Sequence, residues 1–174
     1  KDIDQWNTQV YLDRAIAQAA QVKKLLSLSW TDHLTGLYNQ RFLYENLERE
    51  IRRKSRTSKD LTVVLLDLDN FKGFNDTYGD LKGDDVLADI ANIIQTSIRK
   101  RVDSAYRYEW DEFMLILPET DLDEAAQTLD RILEKLIWRI EEKLTFSVGL
   151  ALLGNCNQAS DLVRCADDAM QRAK

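Results

Sequence analysis

Carboxylates at the ends of two predicted strands are the residues of this sequence best suited to chemistry. The apolar run LTVVLLDLD over residues 61–69 predicts a strand buried on both faces, and Asp67 and Asp69 lie at its end. A second acidic pair, Asp111 and Glu112, lies at the tip of a hairpin predicted from SAYRYE and EFMLIL. A carboxylate at the end of a buried strand is costly unless it meets a cation or a hydrogen-bond donor.

If the hairpin pairs beside strand 61–67, Asp67 and Asp111 can share a cation. Two neighbouring sites of hard oxygen ligands suit two-metal phosphoryl or nucleotidyl transfer. Between them, residues 70–73 predict a turn whose backbone N–H groups, with the Lys72 ammonium, can cradle a triphosphate. Helix capping or a salt bridge remains the alternative interpretation of any single aspartate.

The composition narrows the kinds of partner that the chain can have. Its 174 residues include 24 basic and 30 acidic ones, and the formal charge of −6 argues against a broad surface for nucleic acid or anionic membranes. No apolar run approaches the roughly 20 residues of a membrane span. We expect no nucleic-acid partner, no membrane insertion, and a cytoplasmic domain, either free or belonging to a membrane-anchored sensor. We also expect a longer protein with neighbouring sensor or output domains.

Histidine and cysteine usage limits the metal chemistry. His33 is the single histidine, which disfavours a histidine-based triad or a zinc site. Cys156 and Cys165 lack metal-type spacing, and we interpret them as reduced thiols. Any metal would then be held by oxygen, which favours Mg²⁺ or Mn²⁺.

The hydrophobic pattern divides the chain into an N-terminal signalling helix, residues 1–30, and a domain, residues 31–174. The helix has a narrow apolar seam with alternating three- and four-residue spacing: Leu12, Ala15, Ala19, Val22, Leu26 and Ser29. Such a seam predicts a coiled coil that joins two copies into a homodimer, the alternative being a helix packed on its own domain.

The domain is predicted to be an α+β sandwich, a mainly antiparallel sheet flanked by helices. Asn39 is a suitable N-cap for its first helix, and Ser160 for its last. The predicted elements are a helix over 40–54, the strand 61–69, a helix over 83–101, the hairpin, a helix over 121–142, a strand over 144–153 and the last helix.

Five segments occur in the order and spacing of one known family. They are DHLTGLYNQRFL, LLDLDNFKGFNDTYGDLKGDDVL, YRYEWDEF, TFSVGLA and ADDAMQRAK, and they span about residues 31–174. In these segments the chain resembles the GGDEF domain, the diguanylate cyclase family. The resemblance implies a palm-like fold of the nucleotide-cyclase type and a dimer in which two GTP molecules, one per subunit, condense head to tail into cyclic di-GMP.

The resemblance also implies roles at the acidic clusters. Asp67 and Asp111 look like the carboxylates that hold two Mg²⁺ ions, with help from the Leu68 carbonyl. Glu112 resembles the second acidic residue of the signature, which stabilises the site or eases deprotonation of the 3′-hydroxyl.

Further residues resemble the nucleotide contacts of the family. Phe71 and Lys72 look like the phosphate turn, and Lys174 like a late phosphate-binding lysine. Asn75 and Asp84 resemble the residues that recognise guanine. Because a carboxylate can accept from guanine N1–H and the 2-amino group, a donor pair that adenine lacks, Asp84 favours GTP over ATP. The alternatives are an Asx-turn for Asn75 and a first-turn helix acid for Asp84.

The signature departs from the family at two positions. Glu109 and Trp110 stand where the family has paired glycines, which permit positive φ at a hairpin tip and close approach of a ligand. In that conformation each would cost about 1–2 kcal/mol, so we expect the turn to have changed shape. The indole is expected near the ribose and α-phosphate, or else swung out to stack on a neighbour, and Glu109 adds negative charge beside the substrate.

A possible inhibitory site for cyclic di-GMP also departs from the family. The family has Arg-x-x-Asp shortly before the signature, and the same register here gives Lys100 and Asp103. Lysine lacks the bidentate fork of arginine, which disfavours a tight site unless Arg99 or Arg101 compensates. A basic helix end is the alternative interpretation.

Three functions remain open from the sequence. The favoured one is a domain of cyclic di-GMP metabolism that binds GTP and Mg²⁺ in a regulatory role, with weak or no turnover. The second is an active, dimeric diguanylate cyclase. The third is an effector that binds cyclic di-GMP through Lys100 and Asp103.

Overall fold

The computed structural model describes residues 30–56, 59–140, 144–154 and 158–174, together with positions 14, 16, 18 and 21. The chain divides into two units, Lys1–Thr31 and Asp32–Lys174. In the first unit, positions 14, 16, 18 and 21 are helical, whereas all the residues of the predicted coiled-coil seam lie outside the described set. Within the described ranges, no helix combines the length and the apolar character needed to cross a membrane.

A five-stranded sheet forms the middle of the second unit. Its strands are β1 (Tyr38–Asn39), β2 (Leu61–Leu68), β3 (Ser104–Arg107), β4 (Glu112–Pro118) and β5 (Phe146–Leu152). They lie side by side in the order β1-β3-β4-β2-β5. Only β1 and β3 pair in parallel; the other neighbours are antiparallel. The predicted mainly antiparallel sheet is confirmed, and β1 is an addition to the prediction.

Helices cover both faces of the sheet, which confirms the α+β class. They are α1 (Gln40–Lys54), α2 (Phe71–Tyr78), α3 (Asp80–Ser97), α4 (Leu122–Arg139) and α5 (Ala159–Gln171). One hydrophobic core joins the sheet to α2, α3 and α4, and the other joins it to α1 and α5. Strand β2 is buried along its whole length because its alternate residues face the two cores.

The helix starts test the predicted caps. Asn39 caps α1 as predicted, since its Oδ1 accepts a hydrogen bond of 3.0 Å from Phe42 N–H. Helix α4 begins with a reciprocal capping box between Asp121 and Glu124. The predicted Ser160 cap is wrong, because α5 already begins at Ala159 and its N-cap position makes no side-chain hydrogen bond.

The segment after β2 differs most from the prediction. Instead of a turn followed by a helix from residue 83, Asn70 adopts a left-handed conformation with φ of 56°, and α2 begins directly at Phe71. Gly79, with φ of 86°, ends α2 and leads straight into α3. The turn-forming residues of this segment indicated a loop, whereas the segment forms a short helix. The burial of Phe71 and Phe74 holds this helix in place.

Gly149 permits the close packing of α5 on the sheet. A Cβ atom at this position would lie 2.0 Å from the Ala166 carbonyl oxygen and 2.5 Å from the Met170 nitrogen. The backbone of α5 therefore rests directly on β5. This close packing fixes where the residues after α5 lie, and Lys174 there reaches Asp67 at the end of β2.

Candidate nucleotide and metal site

The predicted pairing of the hairpin beside β2 is confirmed, and it brings the acidic residues together. Strand β4 runs antiparallel to β2 in a register that places Glu112 opposite Asp67. One residue earlier, the Asp111 carbonyl accepts a hydrogen bond of 3.2 Å from Leu68 N–H. The three carboxylates therefore gather where the two strands end.

Burial and neighbouring negative charges favour the protonated forms of Asp111 and Glu112. The pKa of Asp111 is raised, first by burial and then by the charge of Asp67. The pKa of Glu112 is raised to about 7, first by burial and then by the charge of Glu109, with Asp67 adding to the effect. A bound cation would relieve this repulsion and favour the ionised carboxylates.

Lys174 supplies one positive charge to the cluster. Its Nζ lies 2.9 Å from Oδ1 of Asp67, a residue that is only 5% exposed. This hydrogen bond raises the pKa of Lys174. Lys174, which resembles a phosphate-binding lysine, is thus hydrogen-bonded to Asp67, which resembles a metal ligand.

Asp69, the other aspartate at the end of β2, is already satisfied within the fold. Its two oxygens accept hydrogen bonds from the hydroxyls of Thr145, at 2.6 Å, and Ser147, at 2.7 Å. These bonds tie the end of β2 to β5. Asp69 is therefore interpreted as structural, and Asp67 as the aspartate of β2 that faces a ligand.

A cleft of about 470 Å³, here called the phosphate cleft, opens beside the carboxylates. Its lining includes Asp67, Leu68, Asp111, Phe71, Lys72 and Lys174. The predicted phosphate turn is in fact the first turn of α2, whose N–H groups have no partners within the helix. Such N–H groups, next to lysine side chains, form a site suited to an anion.

The donor set of the phosphate cleft fits a hard divalent cation. The described residues contain no group of three or more His, Cys, Asp or Glu side chains arranged around a metal position. The cleft does offer the carboxylates of Asp67 and Asp111 and the main chain of Leu68. That set suits Mg²⁺, which typically binds one or two carboxylates and completes its shell with water and substrate phosphates. Cys165 is a free, exposed thiol, and Cys156 lies outside the described residues.

A second cleft, of about 860 Å³ and here called the base cleft, shares Phe71 with the phosphate cleft. Asn75 on α2 and Asp84 on α3 line it. The Asx-turn alternative for Asn75 is wrong, because the residue lies inside a helix. The first-turn alternative for Asp84 is also wrong, because the acid in the first turn of α3 is Asp80.

Asn75 has an unused acceptor within the described part of the chain. Its Oδ1 atom is buried and has no hydrogen-bond partner there. Gly83 makes room for it, since a Cβ at that position would lie 2.0 Å from Oδ1. Buried acceptors are nearly always satisfied, so one left open in a cleft points to a ligand donor.

Arg107 is a residue of the base cleft that the sequence analysis missed. Its guanidinium lies over the Phe113 ring, 4.9 Å from the centroid, and burial lowers its pKa. Its Nη1 is buried without a hydrogen-bond partner among the described residues. The signal was an arginine at the end of a short strand just before the signature.

The turn at the signature avoids the conformation that paired glycines permit. Neither Glu109 nor Trp110 has a positive φ. Instead, Tyr108 N–H and Glu109 N–H donate to the Glu112 carbonyl at 2.8 and 3.4 Å. Arg107 Nε donates to the Glu109 carbonyl at 2.8 Å. The strain of a glycine-type turn is thereby avoided.

The Trp110 indole points outward and is 88% exposed. Together with Glu109 it lines the base cleft, whereas neither residue lines the phosphate cleft. The outward alternative is therefore the one observed. The stacking that this alternative included is absent, since the described aromatic pairs do not include Trp110.

An internal ion pair occupies the region predicted as an inhibitory site. Arg99 contacts the Asp103 carboxylate through Nη2 at 2.6 Å and Nε at 3.0 Å, and the Asp103 side chain is 2% exposed. Lys100 is exposed beside this pair. The alternative of a basic helix end is wrong, because α3 ends at Ser97 and has no basic residue in its last turn.

Comparisons with known proteins identify the family and its fold. The family model "Diguanylate cyclase, GGDEF domain" matches residues 29–174. Among curated relatives, diguanylate cyclase DosC of Escherichia coli (strain K12) is 34% identical over 150 residues, which cover 82% of this chain and 32% of DosC. Diguanylate cyclase DgcM of the same strain is 35% identical over 146 residues, covering 82% of this chain and 35% of DgcM. The chain thus spans about a third of the length of these relatives.

Solved structures share the fold over most of this chain. Diguanylate cyclase SiaD from Pseudomonas aeruginosa, in complex with its activator SiaC, aligns with a TM-score of 0.76 and 31% identity over 98% of this chain and 69% of SiaD. The coiled coil and GGDEF domain of DgcB from Caulobacter crescentus, in complex with c-di-GMP, aligns with a TM-score of 0.81 and 25% identity over 95% of this chain and 93% of that one. By its family match, its relatives and its fold, the chain belongs to the GGDEF domain family of diguanylate cyclases.

Proposed function

We propose that this GGDEF domain binds GTP together with Mg²⁺ and regulates a partner or a neighbouring domain in cyclic di-GMP signalling, with weak or no turnover. The observation that carries the proposal is the pair of clefts that share Phe71. One cleft combines carboxylates with lysines, and the other contains Asn75 and Asp84. A nucleoside triphosphate with its cation needs this combination of surfaces side by side.

The base cleft supports a guanine ligand. The exposed Asp84 carboxylate can accept from N1–H and from the 2-amino group, and adenine has no such donor pair. The buried Oδ1 of Asn75 would gain the donor that it lacks within the described residues. The cost of leaving that acceptor unsatisfied would then be recovered on binding.

The phosphate cleft supports a triphosphate with its cation. The first turn of α2, with Lys72 and Lys174, would hold phosphate oxygens. Asp67, Asp111 and the Leu68 carbonyl would hold Mg²⁺, which supplies charge neutralisation to the phosphates when bound. The Lys174 ammonium would pass from Asp67 to a phosphate oxygen as the cation takes over the carboxylate.

The weak turnover in the proposal rests on Glu109. After burial, the charge of this residue is the next cause of the raised pKa of Glu112. Glu109 therefore adds negative potential at the signature, where a glycine would add none. This potential opposes both a polyanionic substrate and an ionised Glu112.

Calorimetric titration of GTP in the presence of Mg²⁺, followed by chromatography of the products, tests the proposal. We expect Mg²⁺-dependent binding, little or no cyclic di-GMP, and loss of binding in Asp111→Ala. Asp84→Ala should lose the preference for GTP over ATP while keeping its affinity for inorganic triphosphate. Undetectable Mg²⁺-dependent binding at millimolar GTP would sink the proposal.

An active diguanylate cyclase is the second candidate, and the shape of the signature turn favours it. The turn avoids positive φ, and the indole stays out of the phosphate cleft. In each of two condensations, the 3′-hydroxyl oxygen of one GTP would bond to the α-phosphorus of the other. The bond to the leaving pyrophosphate breaks, and the hydroxyl proton is released. Glu112, whose pKa is raised to about 7, is the candidate base that would take that proton.

Product analysis separates the two candidates. An active enzyme forms cyclic di-GMP and two pyrophosphates from two GTP, and the Asp111→Ala protein forms none. Replacing Glu109 and Trp110 together by glycine should raise the rate, because the added negative charge is removed. Absence of product from a protein verified as a dimer would exclude this candidate and leave the binding role.

A further inference from the structure

The Trp110 indole leads to an inference that rests on the proposed function. It is 88% exposed, and it borders the same cleft as Asn75 and Asp84. Tryptophan is enriched among the side chains that carry most of the binding energy at contact surfaces. We propose that Trp110 is a nucleotide-positioning residue whose indole stacks on the nucleobase bound in the base cleft.

The backbone that presents the indole is held by hydrogen bonds within the turn and by one contact to α1. Arg107 Nε donates to the Glu109 carbonyl at 2.8 Å, and Tyr108 N–H donates to the Glu112 carbonyl at 2.8 Å. The Tyr108 hydroxyl also lies 3.2 Å from the hydroxyl of Tyr44 on α1. Because the loop is fixed at these points, stacking restricts little more than the two side-chain torsions of the indole.

The size and chemistry of the base cleft suit this role. Its volume of about 860 Å³ is large enough for a nucleoside, and its aromatic and apolar lining includes Phe71 and Leu87. Every nucleobase has a π face, so stacking on an aromatic side chain strengthens binding without selecting the base. The two contributions are therefore separable: Asp84 recognises the hydrogen-bonding edge, and Trp110 covers the face.

The separation of the two clefts gives a second distinguishing property. Trp110 lines the base cleft and not the phosphate cleft. Removing the indole should therefore weaken the binding of nucleotides and leave the binding of inorganic triphosphate unaffected. A variant that merely disturbed the turn would weaken both, because Asp111 and Glu112 follow directly in the chain.

The test is calorimetry of the full chain with Mg²⁺ and the α,β-methylene analogues of GTP and ATP, in which the scissile bond is replaced by P–C. Trp110→Ala should lower the affinity for both analogues by about tenfold, and the ratio of the two affinities should not change. Trp110→Phe should retain most of the affinity. Trp138→Ala is the matched control, because this indole is 89% exposed on α4 and lines neither cleft.

The outcomes separate this inference from the proposed function. If the unaltered protein binds the GTP analogue and Trp110→Ala binds it equally well, the stacking role is wrong and the proposed function stands. If Trp110→Ala also loses the ability to bind inorganic triphosphate, the weaker binding comes from a disturbed turn, and the stacking role is again wrong. If the unaltered protein binds no nucleotide, both ideas fail. The expected result is about tenfold weaker binding of both nucleotide analogues, with the affinity for inorganic triphosphate retained.

Discussion

At one end of the β3–β4 hairpin, beside Pro118, charged groups find partners inside the domain. Asp103 is enclosed by Arg99, which also donates to the Pro118 carbonyl at 2.7 Å. In the neighbouring loop, Glu119 contacts both Lys59 and Arg53. Every one of these carboxylates has a cation of this chain within contact distance.

At the other end, by the signature, the carboxylates of Asp111 and Glu112 make no salt bridge with the described residues. Asp111 and Glu112 have raised pKa values because burial and neighbouring acids disfavour their ionised forms. Lys174 contacts Asp67 alone among these acids. We interpret the paired charges as part of the fold and the uncompensated carboxylates as candidates for binding a ligand, since carboxylates with perturbed pKa values cluster at functional sites.

The largest expected effect is a loss of stability at the end of the hairpin beside Pro118. Asp103→Ala should lower the free energy of unfolding by about 2 kcal/mol, because it removes a buried partner of Arg99. GTP affinity should not change. Urea unfolding measures the loss, and Lys100→Ala, an exposed neighbour, is the control. Unchanged stability in Asp103→Ala would remove the contrast between the two ends.

The second effect is on binding, at the signature. Asp111→Ala should weaken Mg²⁺-dependent GTP binding by at least about tenfold, because it removes one of two carboxylates in the phosphate cleft. The urea midpoint without Mg²⁺ should stay equal or rise, since no matched ion pair is broken. Calorimetry and unfolding on the same sample give both values, and a marked loss of stability would contradict the interpretation.

A third, smaller effect depends on pH. The folded pKa of Glu112, about 7, lies above the ordinary value of about 4.3, so the folded state keeps a proton that the unfolded state releases. The stabilising contribution of this proton is complete at low pH and is lost as the pH rises towards about 7.

Glu112→Gln cannot ionise and should therefore gain stability relative to the unaltered protein across that window. The two proteins should unfold alike near pH 4, and their difference should grow up to about pH 7 and then stay constant. Because the side chain is only half-buried, the gain should remain below about 1 kcal/mol. Urea unfolding in EDTA measures it. A difference that shrinks with rising pH would contradict the raised pKa.

The smallest effect is expected at the exposed pair of Lys59 and Glu119, near the Pro118 end of the hairpin. Lys59→Ala removes a contact to Glu119, but both side chains remain accessible to water. Arg53 also remains near Glu119, at 3.3 Å. The urea midpoint should therefore change by no more than the error of its measurement, and added salt should remove any difference. A clear loss of stability would mean that exposed pairs matter here as much as Arg99 and Asp103.

The sequence predicted the elements whose signals are local and strong. The apolar run of β2 and the Asn39 cap of α1 are examples, because burial on both faces and a capping side chain leave direct patterns in the sequence. Strand β1, with two residues, leaves no such pattern and depends on pairing with distant β3. Helix α2 was missed because its stability comes from Phe71 and Phe74 packing in the core rather than from helix-favouring residues.

Side-chain orientation in the candidate site was less accessible from the sequence. The register between β2 and β4 follows from alternation, so the gathering of Asp67 and Glu112 could be anticipated. The turn that carries Trp110 is held by the hydrogen bond from Arg107 Nε to the Glu109 carbonyl, a contact that spacing does not reveal. Likewise, the family register drew attention to Lys100, whereas the partner of Asp103 is Arg99.

The contact between Lys174 and Asp67 has a thermodynamic consequence. One ammonium neutralises the carboxylate when no divalent ion is bound, and the same ammonium lines the cleft where phosphates would lie. Under the proposed function, Asp67 would leave Lys174 when it binds a cation, and Lys174 would leave Asp67 when it binds a triphosphate. Each ligand would then raise the affinity for the other by the same factor, and the domain would respond to the joint presence of both ligands rather than to either alone.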